Sequence, residues 1–135
     1  MRGKMTLTGI ILLGSMSISA CSCSKNGEYY LEYLEYEVEG DKKKTDCLDT
    51  KSLPETVKSA CQLVNLTNSK ESLAFRIEED KIYYRDSNIG LYFKIEDKYI
   101  FTSDTKDGKY TKTNLIYKNG MIIDSINNID YVYTK

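Results

Sequence analysis

The sequence predicts a mainly β domain: a small antiparallel meander or barrel-like sheet of about seven strands, with one amphipathic helix at about 52–64. Three observations lead there. Leu73, Phe75 and Ile77 alternate with polar residues, as do Leu91, Phe93 and Ile95, which is the period of half-buried strands. Asp107-Gly108 and Asn119-Gly120 are dipeptides that accept positive φ and so favour tight hairpins. Twelve tyrosines and a single proline fit pleated chain better than helix.

In chain order, Glu28 to Glu39 (EYYLEYLEYEVE) comes first. Leu34 to Glu39 alternates like a strand, although Glu28, Glu32, Glu35 and Glu39 also share a helical stripe. The tyrosines and the Gly40-Asp41 turn favour a strand. Asp41-Lys42-Lys43-Lys44 reads as a solvated loop. Ser52 and Glu55 match a capping box, with Pro54 suited to a first helical turn. Leu53, Val57, Ala60, Cys61 and Val64 then recur on one face, so the helix should lie across one end or one face of the sheet.

From Ser72 onward the pattern is a meander. Phe75 to Lys81 and Phe93 to Lys98 are near copies, each ending a strand, turning on acids and starting another. Two copies are too few for a solenoid. The last strands are expected at Tyr110 to Tyr117, Met121 to Ile126 and Ile129 to Tyr133.

The first residues carry a different signal. Arg2 and Lys4 precede an uncharged apolar run, Met5 to Met16, too short to span a bilayer, which takes roughly 20 residues. Ile18-Ser19-Ala20-Cys21 closes it and resembles the lipobox of bacterial lipoproteins. That resemblance covers only the leader. It implies cleavage between Ala20 and Cys21, a lipid (diacylglyceryl or palmitate) on Cys21, and attachment to a membrane of the cell envelope. Ser22 after the cysteine implies the outer membrane, periplasmic or surface face, if the envelope is Gram-negative. The expected organisation is a signal peptide at 1–20, a lipidated tether at 21–27 and one β-rich domain at 28–135.

Export also sets the redox state of the remaining cysteines. Cys47 and Cys61 would sit in an oxidising compartment, and a Cys47–Cys61 disulfide is expected. Closing a loop of this length stabilises by up to ~3 kcal/mol in the chain-entropy model. Cys23 is left over, two residues from the anchor. Without histidine or a C-x₂-C pair, zinc is not expected, and neither is any other metal or cofactor.

Removing the leader leaves 17 Lys+Arg against 20 Asp+Glu, too mild a balance for a nucleic-acid binder, which would show a basic stripe. The chain has no histidine, so a Ser–His or Cys–His nucleophile cannot be assembled within it. Glu78, Glu79, Asp80, Glu96 and Asp97 are the densest carboxylates, but turn chemistry accounts for them. Asp104 to Gly108 lacks the alternating oxygens of a calcium loop. No catalytic residue is expected, and the chain reads as no enzyme. The tyrosines suit strand packing first, and a recognition surface second.

The functional expectation is a lipid-anchored, non-enzymatic module that binds a protein. In general shape it is similar to membrane-bound lysozyme inhibitors and to lipoprotein immunity and exclusion factors, with no motif to transfer. The alternative is a structural or assembly lipoprotein of an envelope secretion or conjugation apparatus.

Overall fold

The segment Glu28 to Glu39, expected as a strand, forms one that begins a residue earlier, at Gly27, and ends at Val38. In the computed structural model, which describes residues 24–135, strand β1 runs Gly27–Val38 and turns at Glu39-Gly40 into β2, Asp41–Thr45. Helix α1 is Glu55–Leu66. Seven further strands follow: β3 Leu73–Glu78, β4 Lys81–Tyr84, β5 Leu91–Glu96, β6 Tyr99–Ser103, β7 Thr111–Lys118, β8 Met121–Ile126 and β9 Ile129–Thr134.

All neighbours pair antiparallel, and β9 closes on β1, giving an eight-stranded barrel with β2 as an additional strand. β1 makes this possible by its length. Its first residues pair with β3 (Tyr29 opposite Phe75), its middle with β9 (Leu34 opposite Tyr131), and its last with β2 (Val38 opposite Asp41). The β1–β2 hairpin therefore extends past the barrel rim.

The inward set follows from the register. Phe75 faces Tyr84, Ile77 faces Ile82, Ile95 faces Ile100, and Leu115 faces Asp124. Tyr29, Phe75, Ile77, Ile82, Ile100, Leu115 and Ile122 form the interior cluster. A second cluster joins Val57, Cys61 and Val64 of the helix to Leu31, Leu34, Cys47 and Ile129. Those sheet residues lie at one rim, so α1 stoppers that end of the barrel. Tyr133 touches both clusters and links barrel to stopper.

Tight turns do much of the closure. Residues Glu39-Gly40, Asp97-Lys98, Asn119-Gly120 and Asn127-Asn128 all have both central φ positive, as type I′ hairpins require.

Four local readings are corrected. The Asp41–Lys44 segment is strand β2 and not a loop, because Lys42 and Lys44 lie directly across from Glu37 and Glu35. Opposite charges at such sites stabilise pairing. The strand count rises accordingly, to nine among the described residues. The helix begins at Glu55, with Pro54 at the N-cap in extended conformation (φ −56°, ψ 153°) and no side-chain cap. Ser52 stands two residues too early to reach the first turn, so the capping box does not form. Finally, Asp107-Gly108 is no two-residue hairpin. It lies in the loop 104–110, where Gly108 N donates to Thr105 O at 3.2 Å. A Cβ on Gly108 would run into the Thr105 and Ser103 hydroxyls, which explains the glycine without positive φ.

Candidate functional site at the helix-stoppered end

The two ends of the barrel differ in chemistry. One end, the base, carries the turns Glu79-Asp80, Asp97-Lys98 and Asn119-Gly120, together with the chain on both sides of the barrel. Lys135 Nζ donates to the carbonyl oxygens of Ser24 (2.8 Å) and Asn26 (3.2 Å), and Glu79 N donates to Asn26 Oδ1 at 3.0 Å. The segment read as tether thus meets the base at Ser24–Asn26 before β1 begins. Ala20 and Cys21, the expected cleavage and lipidation residues, and Cys23 lie outside the described residues.

The opposite end holds α1, the β1–β2 hairpin, the β4–β5 and β6–β7 loops and the Asn127-Asn128 turn. Among the described residues, the exposed large hydrophobic side chains are Leu48, Leu63, Leu66, Tyr84, Ile89 and Ile126, from 37% to 81% exposed. Every one belongs to this end. Leu63 and Leu66 point away from the helix face that carries Val57, Cys61 and Val64. Ile89 sits in the β4–β5 loop and Ile126 at the final turn.

The helix is held in place covalently. Cys47 and Cys61 form the disulfide expected from the sequence, with Cα atoms 5.1 Å apart. Both are buried. Asn65 Nδ2 adds a hydrogen bond to Cys47 O at 3.1 Å, and Lys70 Nζ donates to Asp46 O at 3.1 Å. The disulfide is structural in setting: it fastens the stopper to the rim.

Inside the rim lies a group that the alternation pattern obscured. Asp124 is on the inward face of β8, in step with Ile122, opposite Leu115 on one side and Tyr131 on the other. Burial holds its carboxyl above the usual carboxylate range. Tyr131 and Tyr84 are pushed up by burial and by the Asp124 charge. Tyr133 is pushed up to about 12, by burial first and Asp124 second, against an opposing pull from Arg85. Phe75 braces two of these rings edge-on, with centroids 5.4 Å from Tyr84 and 5.0 Å from Tyr133. The useful signal in the sequence was Asp124 in phase with Ile122 and Ile126, a charge on an apolar stripe.

The carboxylates singled out from sequence are elsewhere. Glu78, Glu79, Asp80, Glu96 and Asp97 lie at the base, exposed or in turns, with Arg76–Glu78 (2.5 Å) and Lys94–Glu96 (2.9 Å) as ion pairs along the outer wall. The same wall stacks lysines and Arg76 over tyrosines, for instance Arg76 over Tyr83 at 4.0 Å and Lys112 over Tyr99 at 3.9 Å. Beside the stopper, a groove of about 900 Å³ runs between the β1–β2 hairpin, Pro54 and the Asn127-Asn128 turn. Glu35, Glu37 and Asp130 line it with Lys42, and Ser125 Oγ donates to Asp130 Oδ1 on its wall. Among the described residues no helix is long and apolar enough to cross a membrane.

No family model, no curated protein and no solved structure matches this chain.

Proposed function

We propose that the protein is a lipid-anchored envelope protein, tethered through Cys21, whose helix-stoppered end is a non-enzymatic surface for binding another protein. The type would be an inhibitor, immunity or exclusion factor. One observation carries this reading: the exposed large hydrophobics among the described residues all lie at the end opposite the base, where Ser24 leads toward Cys21. Side chains such as Leu66 and Ile89 cost solvation while unpaired, and their concentration at one end is the mark of a contact surface. A tether at the base would aim that end away from the membrane.

The absence of histidine from the chain removes the commonest general base and fits binding better than catalysis. An assembly role by strand addition would use the free edge of β2. That strand carries Lys42, Lys43 and Lys44, and such lysines discourage edge pairing.

Site-specific photo-crosslinking in the native host tests the proposal. A crosslinker at Leu66 should give one discrete protein adduct, and one at Asn119 should give none. Adducts from Asn119 alone, or none from either, would reject it.

A further inference from the structure

We infer that the outer wall formed by β4–β7 binds a linear acidic polysaccharide, on a surface separate from the helix-stoppered end. The register sets that wall. Ile77 with Ile82 and Ile95 with Ile100 turn inward, so Arg76, Tyr83, Lys94 and Phe101, one residue out of step, turn outward. One line across three strands follows: Lys94 on β5 lies opposite Phe101 on β6, and Phe101 opposite Lys112 on β7. Lys81 and Tyr92 form the neighbouring pair and join β4 to β5. The strand residues of β4–β7 include Lys81, Lys94, Lys112 and Lys118 but a single acid, Glu96. This cationic face stands on a chain whose acids outnumber its bases.

The lysines of this wall are held ready for anions. Lys81 sits over Tyr92 at 4.8 Å, Lys94 over Tyr110 at 5.0 Å and Lys112 over Tyr99 at 3.9 Å. Each ring fixes a flexible stem in advance, which lowers the ordering cost of binding. Among the described residues Lys81, Lys112 and Lys118 have no ion pair, because Glu78 opposite Lys81 is taken by Arg76. Lys94 pairs with Glu96 at 2.9 Å, but both are about half exposed, where such a pair is worth little and an incoming anion can replace it. Lys42 and Lys44 of β2, by contrast, are matched by Glu37 and Glu35 across the hairpin. Lys94 and Lys112 stand two strands apart, roughly 10 Å, about the rise of two pyranose rings. Anions on alternate sugars then meet the two lysines while the sugar between lies on half-buried Phe101. Among the described residues every cation stacked on a ring sits on a tyrosine, so none covers Phe101. Single-stranded nucleic acid fits less well, since the tyrosine faces are taken by cations and leave no row of open rings for bases.

Binding by the full wild-type chain decides the matter, with a hyaluronan octasaccharide as probe because its carboxylates fall on alternate sugars. It should give saturable NMR shifts in the ring of Phe101 and the side chains of Lys94 and Lys112. Neutral malto-octaose should bind at least about tenfold more weakly, since it forgoes the charge-assisted contacts. Oligothymidylate of equal charge should also bind more weakly than hyaluronan. Lys112→Gln, checked for folding by its amide spectrum, should weaken hyaluronan binding at least about threefold. Lys51→Gln, an equal loss of charge at an exposed position beside the helix, should leave it unchanged. Absence of shifts, shifts confined to another face, malto-octaose or oligothymidylate binding as tightly as hyaluronan, or equal effects of the two substitutions would each overturn the inference.

Discussion

Asn65 Nδ2 donates to the carbonyl oxygen of Cys47 at 3.1 Å, one helical turn beyond Cys61, which is bonded to the same residue through sulfur. Cys47 is thereby gripped twice, while its own backbone sits at φ 67°, a conformation a non-glycine residue adopts at a cost. Removing the covalent grip by Cys47→Ser with Cys61→Ser should lower unfolding free energy by up to ~3 kcal/mol. Asn65→Ala with the disulfide intact should lower it by about 1 kcal/mol. Urea denaturation measures both. Loss of the barrel transition itself, with Asn65→Ala as damaging as the double serine, would contradict a stopper fastened to a separately closed barrel.

Asp124 gives a pH prediction whose sign is fixed by burial. Its folded pKa is raised above the ordinary 3.8, so folding is favoured most below that value. Stability is then lost as pH rises through the raised value. Asp124→Asn should flatten the dependence of Tm on pH over the weakly acidic range and raise Tm at pH 7. A lower Tm at pH 7 would mean that the carboxylate is doing structural service that the geometry does not show.

At the alkaline end, Tyr29 and Tyr133 should ionise last. Tyr29 is fully buried, its hydroxyl donates to Lys25 O at 2.6 Å, and burial followed by the adjacent Tyr117 drives its pKa up. Because both folded values exceed the ordinary 10.0, their contribution is complete below pH 10 and disappears as pH climbs through the raised values. Phenolate absorbance should therefore show a late fraction that shrinks in Tyr133→Phe. Uniform titration of all tyrosines near pH 10 in the folded protein would refute this.

The type I′ turns separate glycine from non-glycine positions. Gly120 at φ 78° supports the β7–β8 hairpin, and Gly120→Ala should cost about 1 kcal/mol. Lys98 occupies the matching position of the β5–β6 hairpin at φ 70°. Lys98→Gly should therefore stabilise, by roughly 0.5–1 kcal/mol, provided its carbonyl still accepts from Tyr117 N at 2.8 Å. Thermal melts of the two variants should move in opposite directions.

If Cys21 carries the proposed lipid, Cys21→Ser should abolish palmitate labelling and leave an unprocessed precursor. Normal labelling of that variant would exclude Cys21 as the attachment point.

Alternation revealed the strands whose inward residues are apolar, and compartment reasoning paired Cys47 with Cys61. Two things were hidden for physical reasons. β2 has no apolar stripe, and its partners Glu35 and Glu37 lie in another segment, so only the hairpin makes its lysines intelligible as a strand. Asp124 reads as a solvent-facing acid until Leu115 and Tyr131 are placed beside it. A barrel-like sheet was expected, but which strands close it was not legible, since Tyr131 opposite Leu34 is a contact between remote segments that no local pattern encodes.

That last pairing has a consequence for how the molecule is made. Every other described strand and the helix lie between β1 and β9 in the chain, so the seam between them joins segments that are made at different times. Contacts of such high sequence separation form slowly. A chain threaded out of a ribosome or a translocation pore, amino end first, must hold Gly27–Val38 with one edge unsatisfied until Ile129–Thr134 arrives. Until then the nascent domain remains open, threadable and exposed to chaperones, and it locks only when Ile129–Thr134 is free to pair.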